Sequence, residues 1–170
     1  MRNRRAERGS AMVEFVMAGI AAITLMISTV QLGLSMWNYH TLAYAVHETN
    51  RYVSTHGRNC GLGGNTCTIT VGTIASKLHE NGAGLPADSV KLTLTSNSGT
   101  VYTCNSISSC YADTTQWPPV SHLDNNAGNY NQLTASYTFN SAIVAIWYGW
   151  RGTRDSSVTL KSTSKVQMLF

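Results

Sequence analysis

The chain has 170 residues, of which 12 are Lys or Arg and 8 are Asp or Glu, for a formal net charge of +4. This length fits one domain, or one domain with a membrane anchor. Charged residues make up 12% of the chain, about half the usual share, whereas Ser, Thr and Asn together number 51. A surface made polar by hydroxyl and amide groups is typical of exported proteins and argues against a cytosolic enzyme.

The positive charge is concentrated at the N-terminus. The first eight residues contain four Arg and one Glu, whereas the rest of the chain contains 8 basic and 7 acidic residues. A nucleic-acid-binding surface needs Lys and Arg clustered on one folded face, and the basic residues after position 9 are scattered along the sequence. The distribution therefore argues against nucleic acid as a partner.

Residues 11–37 form an apolar stretch whose only charged residue is Glu14. As a helix at ~1.5 Å per residue it would extend roughly 40 Å, enough to cross a bilayer core of about 30 Å. The Arg-rich flank predicts a cytoplasmic N-terminus and an exported C-terminal part. The alternative is a cleaved signal peptide, but the stretch is too long and no convincing small-residue cleavage site follows it. We therefore predict a single-pass protein of the inner (cytoplasmic) membrane.

The residues at the start of this stretch resemble the processing site of type IV prepilins of the tight-adherence (Flp) class. That pattern is Gly-x-x-x-x-Glu-Phe/Tyr, and the matching residues here are Gly9-Ser10-Ala11-Met12-Val13-Glu14-Phe15. In that family a membrane peptidase cuts after the Gly. The resemblance implies a leader of residues 1–9, cleavage between Gly9 and Ser10, and assembly roles for Glu14 and Phe15.

The stretch from Trp37 to Val53 carries a second resemblance, since it is similar to the TadE-like minor pilins and pseudopilins. Their run of Ala-Val-x-Glu-x-x-Arg-Tyr is matched by residues 45–52. Major pilins of this class are far shorter, so a body of over a hundred residues favours the minor-pilin branch. The resemblance implies a structural protein of tight-adherence pilus assembly, possessing no enzymatic activity. Its implied partners are the prepilin peptidase, other pilins or pseudopilins, and the inner-membrane assembly platform.

Glu14 has two interpretations. Cleavage would create an ammonium group on Ser10 beside hydrocarbon, and a buried ammonium and a buried carboxylate cost far less when paired. Glu14 of one subunit can therefore pair with the Ser10 amine of a neighbour and set the axial register. Alternatively, the Glu14 side chain extends along the helix and merely places its carboxylate at the headgroup boundary.

The predicted helix continues beyond the membrane. No Pro or Gly occurs between Trp37 and Thr55, so we predict one helix from about Ser10 to His56, within a helical region of residues 10–58 ended by Gly57 and Gly61. Its second half carries an apolar stripe at helical spacing, with one polar gap at Asn50. The members of that stripe are Tyr39, Leu42, Ala43, Val46 and Val53.

The exported region, residues 59–170, contains a predicted short helix over residues 70–81 and three segments of alternating polarity. These segments are residues 90–95, 133–140 and 158–170, and each reads as a half-buried strand of an antiparallel sheet. The predicted fold is α+β and pilin-like: a long N-terminal helix packs its amphipathic half on a small antiparallel sheet.

The four cysteines all lie in the predicted exported region, where an even count indicates disulfides. Four cysteines allow three connectivities, and we favour the local pairs Cys60–Cys67 and Cys104–Cys110. Their spacings do not fit a zinc site, so we predict no metal. No nucleotide-binding, metalloprotease or nucleophile-elbow motif occurs, so we predict no catalytic residue and no cofactor.

One apolar segment, residues 142–150, has two interpretations. Either it packs in the core between helix and sheet, or it exposes Trp147, Tyr148 and Trp150 as a docking patch for a subunit or a bilayer. The function that the sequence indicates is a minor pilin or pseudopilin, in the membrane or incorporated into an extracellular pilus. The alternative is a membrane-anchored binding or adhesin protein that never polymerises.

Overall fold

A computed structural model describes residues 4–56, 69–119, 124–141 and 157–169. The chain divides into two compact units. The first comprises Met1–Met36 and Ser141–Ser156, and the second comprises Trp37–Asn140 and Ser157–Phe170. The described residues form two α-helices and a four-stranded sheet, which confirms the predicted α+β class with its long N-terminal helix and small antiparallel sheet.

Helix α1 spans Arg4–Ser54. It ends two residues before the predicted boundary, and it begins six residues earlier than predicted. The earlier start has a local cause, because the leader is rich in Arg, with Ala and Glu, all of which favour helix. Gly57 and Gly61, the predicted helix terminators, lie outside the described residues.

The second half of α1 packs one face into the core of the second unit. Leu42, Val46 and Val53 are fully buried, as the apolar stripe predicts. Tyr39, which was predicted to share that face, is 44% exposed, so the buried face begins one turn later than expected. Asn50, the polar gap in the predicted stripe, is fully buried.

Helix α2 spans Val71–Asn81 and confirms the predicted short helix. Thr70 caps its N-terminus, since the Thr70 hydroxyl accepts the Thr73 amide at 3.2 Å and so satisfies one of the free amides of the first turn. At the C-terminus the Gly82 amide donates to the carbonyl oxygens of Leu78 and His79. Local capping therefore sets both ends of this helix.

The sheet has the strand order β2-β1-β3-β4, and all neighbouring pairs are antiparallel. The strands are β1 (Val90–Ser96), β2 (Val101–Cys104), β3 (Tyr130–Asn140) and β4 (Ser157–Gln167). The prediction of three strands was thus one short. Strand β2 has only four residues and no clear alternation, and it forms because a tight turn with a positive φ of 85° at Gly99 returns the chain onto β1.

Strand β4 departs from its predicted pattern in two ways. It ends at Gln167 rather than continuing to residue 170, because the Met168 amide donates to the Asn129 carbonyl and the Leu169 amide donates to the Ser54 carbonyl. In addition, Val158 is 40% exposed, although the pattern placed it on the buried face. The two bonds tie the end of the strand to the β3 side of the sheet and to the end of α1.

The core of the second unit lies between the two helices and one face of the sheet. Cys104, Ile107 and Trp117 also enter it from the segments after β2. Gly72 shows how closely these segments approach α2, since a Cβ atom there would lie 2.5 Å from the Tyr111 carbonyl oxygen and 2.8 Å from that of Asp113. Only glycine fits at this contact without moving the backbone.

Candidate functional site

The predicted processing and assembly residues all lie within helix α1. Gly9 and Ser10 fall inside its bounds of Arg4–Ser54. Glu14 and Phe15 follow on exposed positions, and Phe15 is 78% exposed. The Gly9–Ser10 bond is therefore part of a helix.

The helix after this motif exposes a long apolar surface. Its range of Ala11–Ser54 contains a strongly apolar stretch of 18 residues, none of it buried within the chain. It is the one helix in the described residues that is long and apolar enough to cross a membrane. The most exposed large side chains, each at least 68% accessible, are Met12, Phe15, Met17, Leu25, Met26 and Trp37.

The hydroxyl groups in this segment are satisfied within the helix. Thr24 donates to the Ile20 carbonyl at 2.8 Å, and Ser28 donates to the Thr24 carbonyl at 2.7 Å. Thr29 and Ser35 make equivalent bonds to carbonyls three residues earlier. A hydroxyl that bonds its own helix exposes no free donor, so these side chains are compatible with an apolar surrounding.

The less exposed positions of the segment form a line of polar side chains. Thr24, Ser28, Gln31 and Ser35 are each only partly exposed, whereas the residues between them are exposed. Their alternating spacing of four and three residues averages 3.5, which keeps a line on one side of a helix that contacts another helix. Small and polar residues are also those that mediate helix contacts inside membranes.

In the second unit the structure brings together a buried polar network that the sequence did not predict. Asn50 of α1 exchanges bonds with β3 and β4: its Oδ1 accepts from Asn131 Nδ2 at 2.8 Å, and its Nδ2 donates to the Ser164 carbonyl at 2.9 Å. Trp117 Nε1 donates to Asn131 Oδ1 at 2.8 Å. Asn50 and Asn131 are both fully buried. The network joins the second half of α1 to the sheet.

Periodicity alone could not reveal this network, but one signal was present in the sequence. Asn50 interrupts an otherwise apolar stripe, and a polar residue on a packing face needs partners when it is buried. The partners lie 81 and 114 positions away in sequence, so no local pattern identifies them.

A second polar cluster, formed by Tyr102, Asp113 and Thr115, lies in strand β2 and in the segment that follows Cys110. Asp113 accepts the Tyr102 hydroxyl and the Thr115 amide, the latter at 2.8 Å. Hydrogen bonds from Thr115 and Tyr102 lower the pKa of the Asp113 carboxyl, while the bond to Asp113 raises the pKa of Tyr102. The carboxylate therefore links this segment to strand β2.

Cys104 and Cys110 are joined by a disulfide with a Cα–Cα distance of 6.0 Å, which is one of the two local pairs favoured from the sequence. Cys60 and Cys67 lie outside the described residues, as do Trp147, Tyr148 and Trp150. Within the described part of the chain, no group of three or more His, Cys, Asp or Glu residues is arranged to hold a metal ion.

The architecture is that of a pilin-like α+β protein: a long N-terminal helix, apolar and exposed at first and then packed on an antiparallel sheet. Residues 9–51 match the sequence model of a family described as TadE-like protein. This match confirms the resemblance to TadE-like proteins over about a quarter of the chain. The family is structural rather than enzymatic. Neither curated proteins nor solved structures give a match to the chain.

Proposed function

We propose that this protein is a minor pilin or pseudopilin that acts structurally in assembly of a tight-adherence pilus, after prepilin peptidase cleavage between Gly9 and Ser10. The proposal is supported by three sequence features that meet at the same point in the chain. The TadE-like match begins at Gly9, where the Arg-rich leader ends and the exposed apolar part of α1 begins.

The membrane arrangement follows from the leader and from the apolar segment of about residues 11–37. Basic residues flanking an apolar helix are retained in the cytoplasm, so the region from residue 59 onward is exported. The Cys104–Cys110 disulfide supports this arrangement, because disulfides persist in oxidising compartments outside the cytoplasm. The protein thus begins as an inner-membrane precursor with residues 1–9 as its leader.

Processing controls assembly in this proposal. Four Arg of the leader cannot enter an apolar helix bundle, because each unpaired charge in such a surrounding is costly. Gly9 and Ser10 lie inside α1, so the peptidase must unwind this turn before it cuts. Gly weakens a helix by roughly 0.5–1 kcal/mol relative to Ala, and Gly9 therefore makes the unwinding easier.

Assembly then depends on helix packing. The exposed apolar surface of α1 leaves the bilayer and packs among the helices of other pilins. Within that bundle, Glu14 pairs with the new Ser10 ammonium group of a neighbouring subunit. The pairing compensates two charges that would each be costly in an apolar surrounding.

Substitution of Glu14 tests the assembly step. We expect Glu14→Gln to abolish or strongly reduce recovery of the protein with the other pilins after mild detergent extraction, while membrane insertion is unchanged. Glu48→Gln is the matched control, because it removes a carboxylate from the same helix outside the apolar segment. Recovery of Glu14→Gln at the level of the unsubstituted protein would contradict the pairing and favour a Glu14 that only contacts headgroups.

A further inference from the structure

The sheet has an outer face, opposite the core, that carries positive charge and hydroxyl groups. The four strands contain three Lys and no Asp or Glu. Lys91, Lys161 and Lys165 are all exposed, and strand alternation places all three on this outer face. The face therefore has a net positive charge of three, without an acidic residue of the strands to neutralise it.

The register arranges the polar side chains in rows across the strands. Thr103, Thr93, Thr134 and Thr163 are successive partners and form one row across all four strands. The hydroxyls of Thr134 and Thr163 are 3.0 Å apart. In a neighbouring row, Lys91 and Lys161 flank Ser136, which places their Cα atoms roughly 10 Å apart. Ser136, whose hydroxyl can both donate and accept hydrogen bonds, thus lies in register between two Lys residues.

At one end of this face lies a shallow polar groove of about 130 Å³, next to the turn between β1 and β2. Lys165 Nζ lies 4.6 Å from the centroid of the Tyr130 ring, and this cation–π contact holds the ammonium group at the groove. Asp124, which is buried, holds the adjacent turn in place, because the Ser98 amide donates to its carboxylate at 3.0 Å. The groove is lined by Thr95, Ser96, Asn97, Tyr130, Gln132 and Lys165.

We propose that this outer face binds an acidic polysaccharide, with uronate carboxylates on the Lys ammonium groups and sugar hydroxyls on the Thr, Gln and Asn side chains. The positive charge of the face requires a negatively charged ligand, and the spacing of the three Lys residues indicates the chemical class of that ligand. Duplex DNA carries one charge per ~1.7 Å and requires clustered Lys and Arg. Membrane surfaces are recognised by clusters of about 4–8 basic residues. Three Lys spread among hydroxyl rows instead match a polymer that alternates carboxylates with hydroxyls.

The first test measures binding of the full chain, held in phosphatidylcholine nanodiscs, to immobilised polygalacturonate, with dextran as the neutral polymer. We expect binding to polygalacturonate that weakens with added salt, and little binding to dextran. The double variant Lys161→Gln/Lys165→Gln should raise Kd about three- to tenfold, since each exposed ion pair contributes roughly up to fivefold. Lys77→Gln removes a charge that is paired with Glu80 on α2, and should leave Kd unchanged.

Tyr130 provides a second test, because it acts as a positioning residue for Lys165. Tyr130→Leu removes the ring and should raise Kd about two- to fivefold, whereas Tyr130→Phe keeps the ring and should bind like the unsubstituted protein. The proposal is overturned if dextran binds equally well, or if Lys77→Gln weakens binding as much as the double variant. Tighter binding of a DNA duplex or of phosphatidylglycerol vesicles through the same Lys would also overturn it.

Discussion

Replacing Asn50 by Ala removes the centre of the buried network that joins α1 to the sheet. Asn131 Nδ2 loses the acceptor that it contacts at 2.8 Å, and the Ser164 carbonyl loses the donor at 2.9 Å. A buried group left unpaired costs about 1–3 kcal/mol, and the space left by the amide adds a cavity cost. We therefore expect the free energy of unfolding to fall by about 3 kcal/mol, a large part of the total of a typical domain.

The measurement is guanidinium unfolding of the full chain in a mild detergent, followed by Trp fluorescence, because Trp117 is 2% exposed and bonded to the network. Asn50→Leu should be destabilised by about 2 kcal/mol or more, since it fills the space and still leaves the polar partners unpaired. Thr134→Ala, on the outer face of the same sheet, is the control and should change stability by no more than about 1 kcal/mol.

A double-mutant cycle with Asn131→Ala isolates the contact itself. We expect a coupling energy of about 1–3 kcal/mol between Asn50 and Asn131, because they share a buried hydrogen bond. Additive effects of the two substitutions, or an Asn50→Ala variant as stable as the Thr134→Ala control, would refute the reasoning that this network fixes the helix on the sheet.

Three other predictions concern the second unit. Gly72→Ala should lower the free energy of unfolding by about 1–3 kcal/mol in denaturant titrations, because its Cβ would meet backbone oxygens. The control Gly33→Ala, whose Cβ would meet open space, should not lower it. Equal stabilities of the two variants would contradict the close contact at Gly72. Reduction of Cys104–Cys110 should cost about 2 kcal/mol, measured as the shift in denaturation midpoint, and no shift would refute a stabilising role. The lowered pKa of Asp113 contributes stability that is present above pH ~4 and lost as pH falls through the lowered value. Asp113→Asn should therefore be less stable than the unsubstituted protein at pH 7, and this difference in the free energy of unfolding should shrink below pH ~4. A pH-independent difference would contradict this.

The sequence predicts those parts of the fold that depend on local patterns. Helix α2 has its cap at Thr70 and its termination at Gly82, and both signals lie within the segment itself. Strand β1 alternates along its whole length, and the sequence of β3 alternates over residues 133–140, although the strand begins at Tyr130. Strand β2 has only four residues and depends on pairing with β1, so its own residues do not predict it.

The parts that sequence patterns missed depend on distant partners. Asn50 appeared as a defect in the apolar stripe, and only the fold brings Asn131 and Ser164 to it. On β4, Ser162 and Ser164 share a face with Leu160 and Val166. This edge strand lies next to the buried Asn50, which bonds to Ser164, so polar side chains are accommodated on its inner face. The Gly9–Phe15 motif, by contrast, is local in sequence, so its resemblance to a prepilin processing site depends on no distant partner, and cleavage there stays a prediction.

The intact mass of the protein, extracted from membranes that contain its prepilin peptidase, tests the central claim most directly. We expect a mature chain that begins at Ser10, so that the nine residues of the leader are lost, and the full-length precursor when the peptidase is inactive. A chain that keeps Met1 in the presence of the active peptidase, or one cut after the apolar segment near Trp37, would contradict the proposed maturation as a pilin.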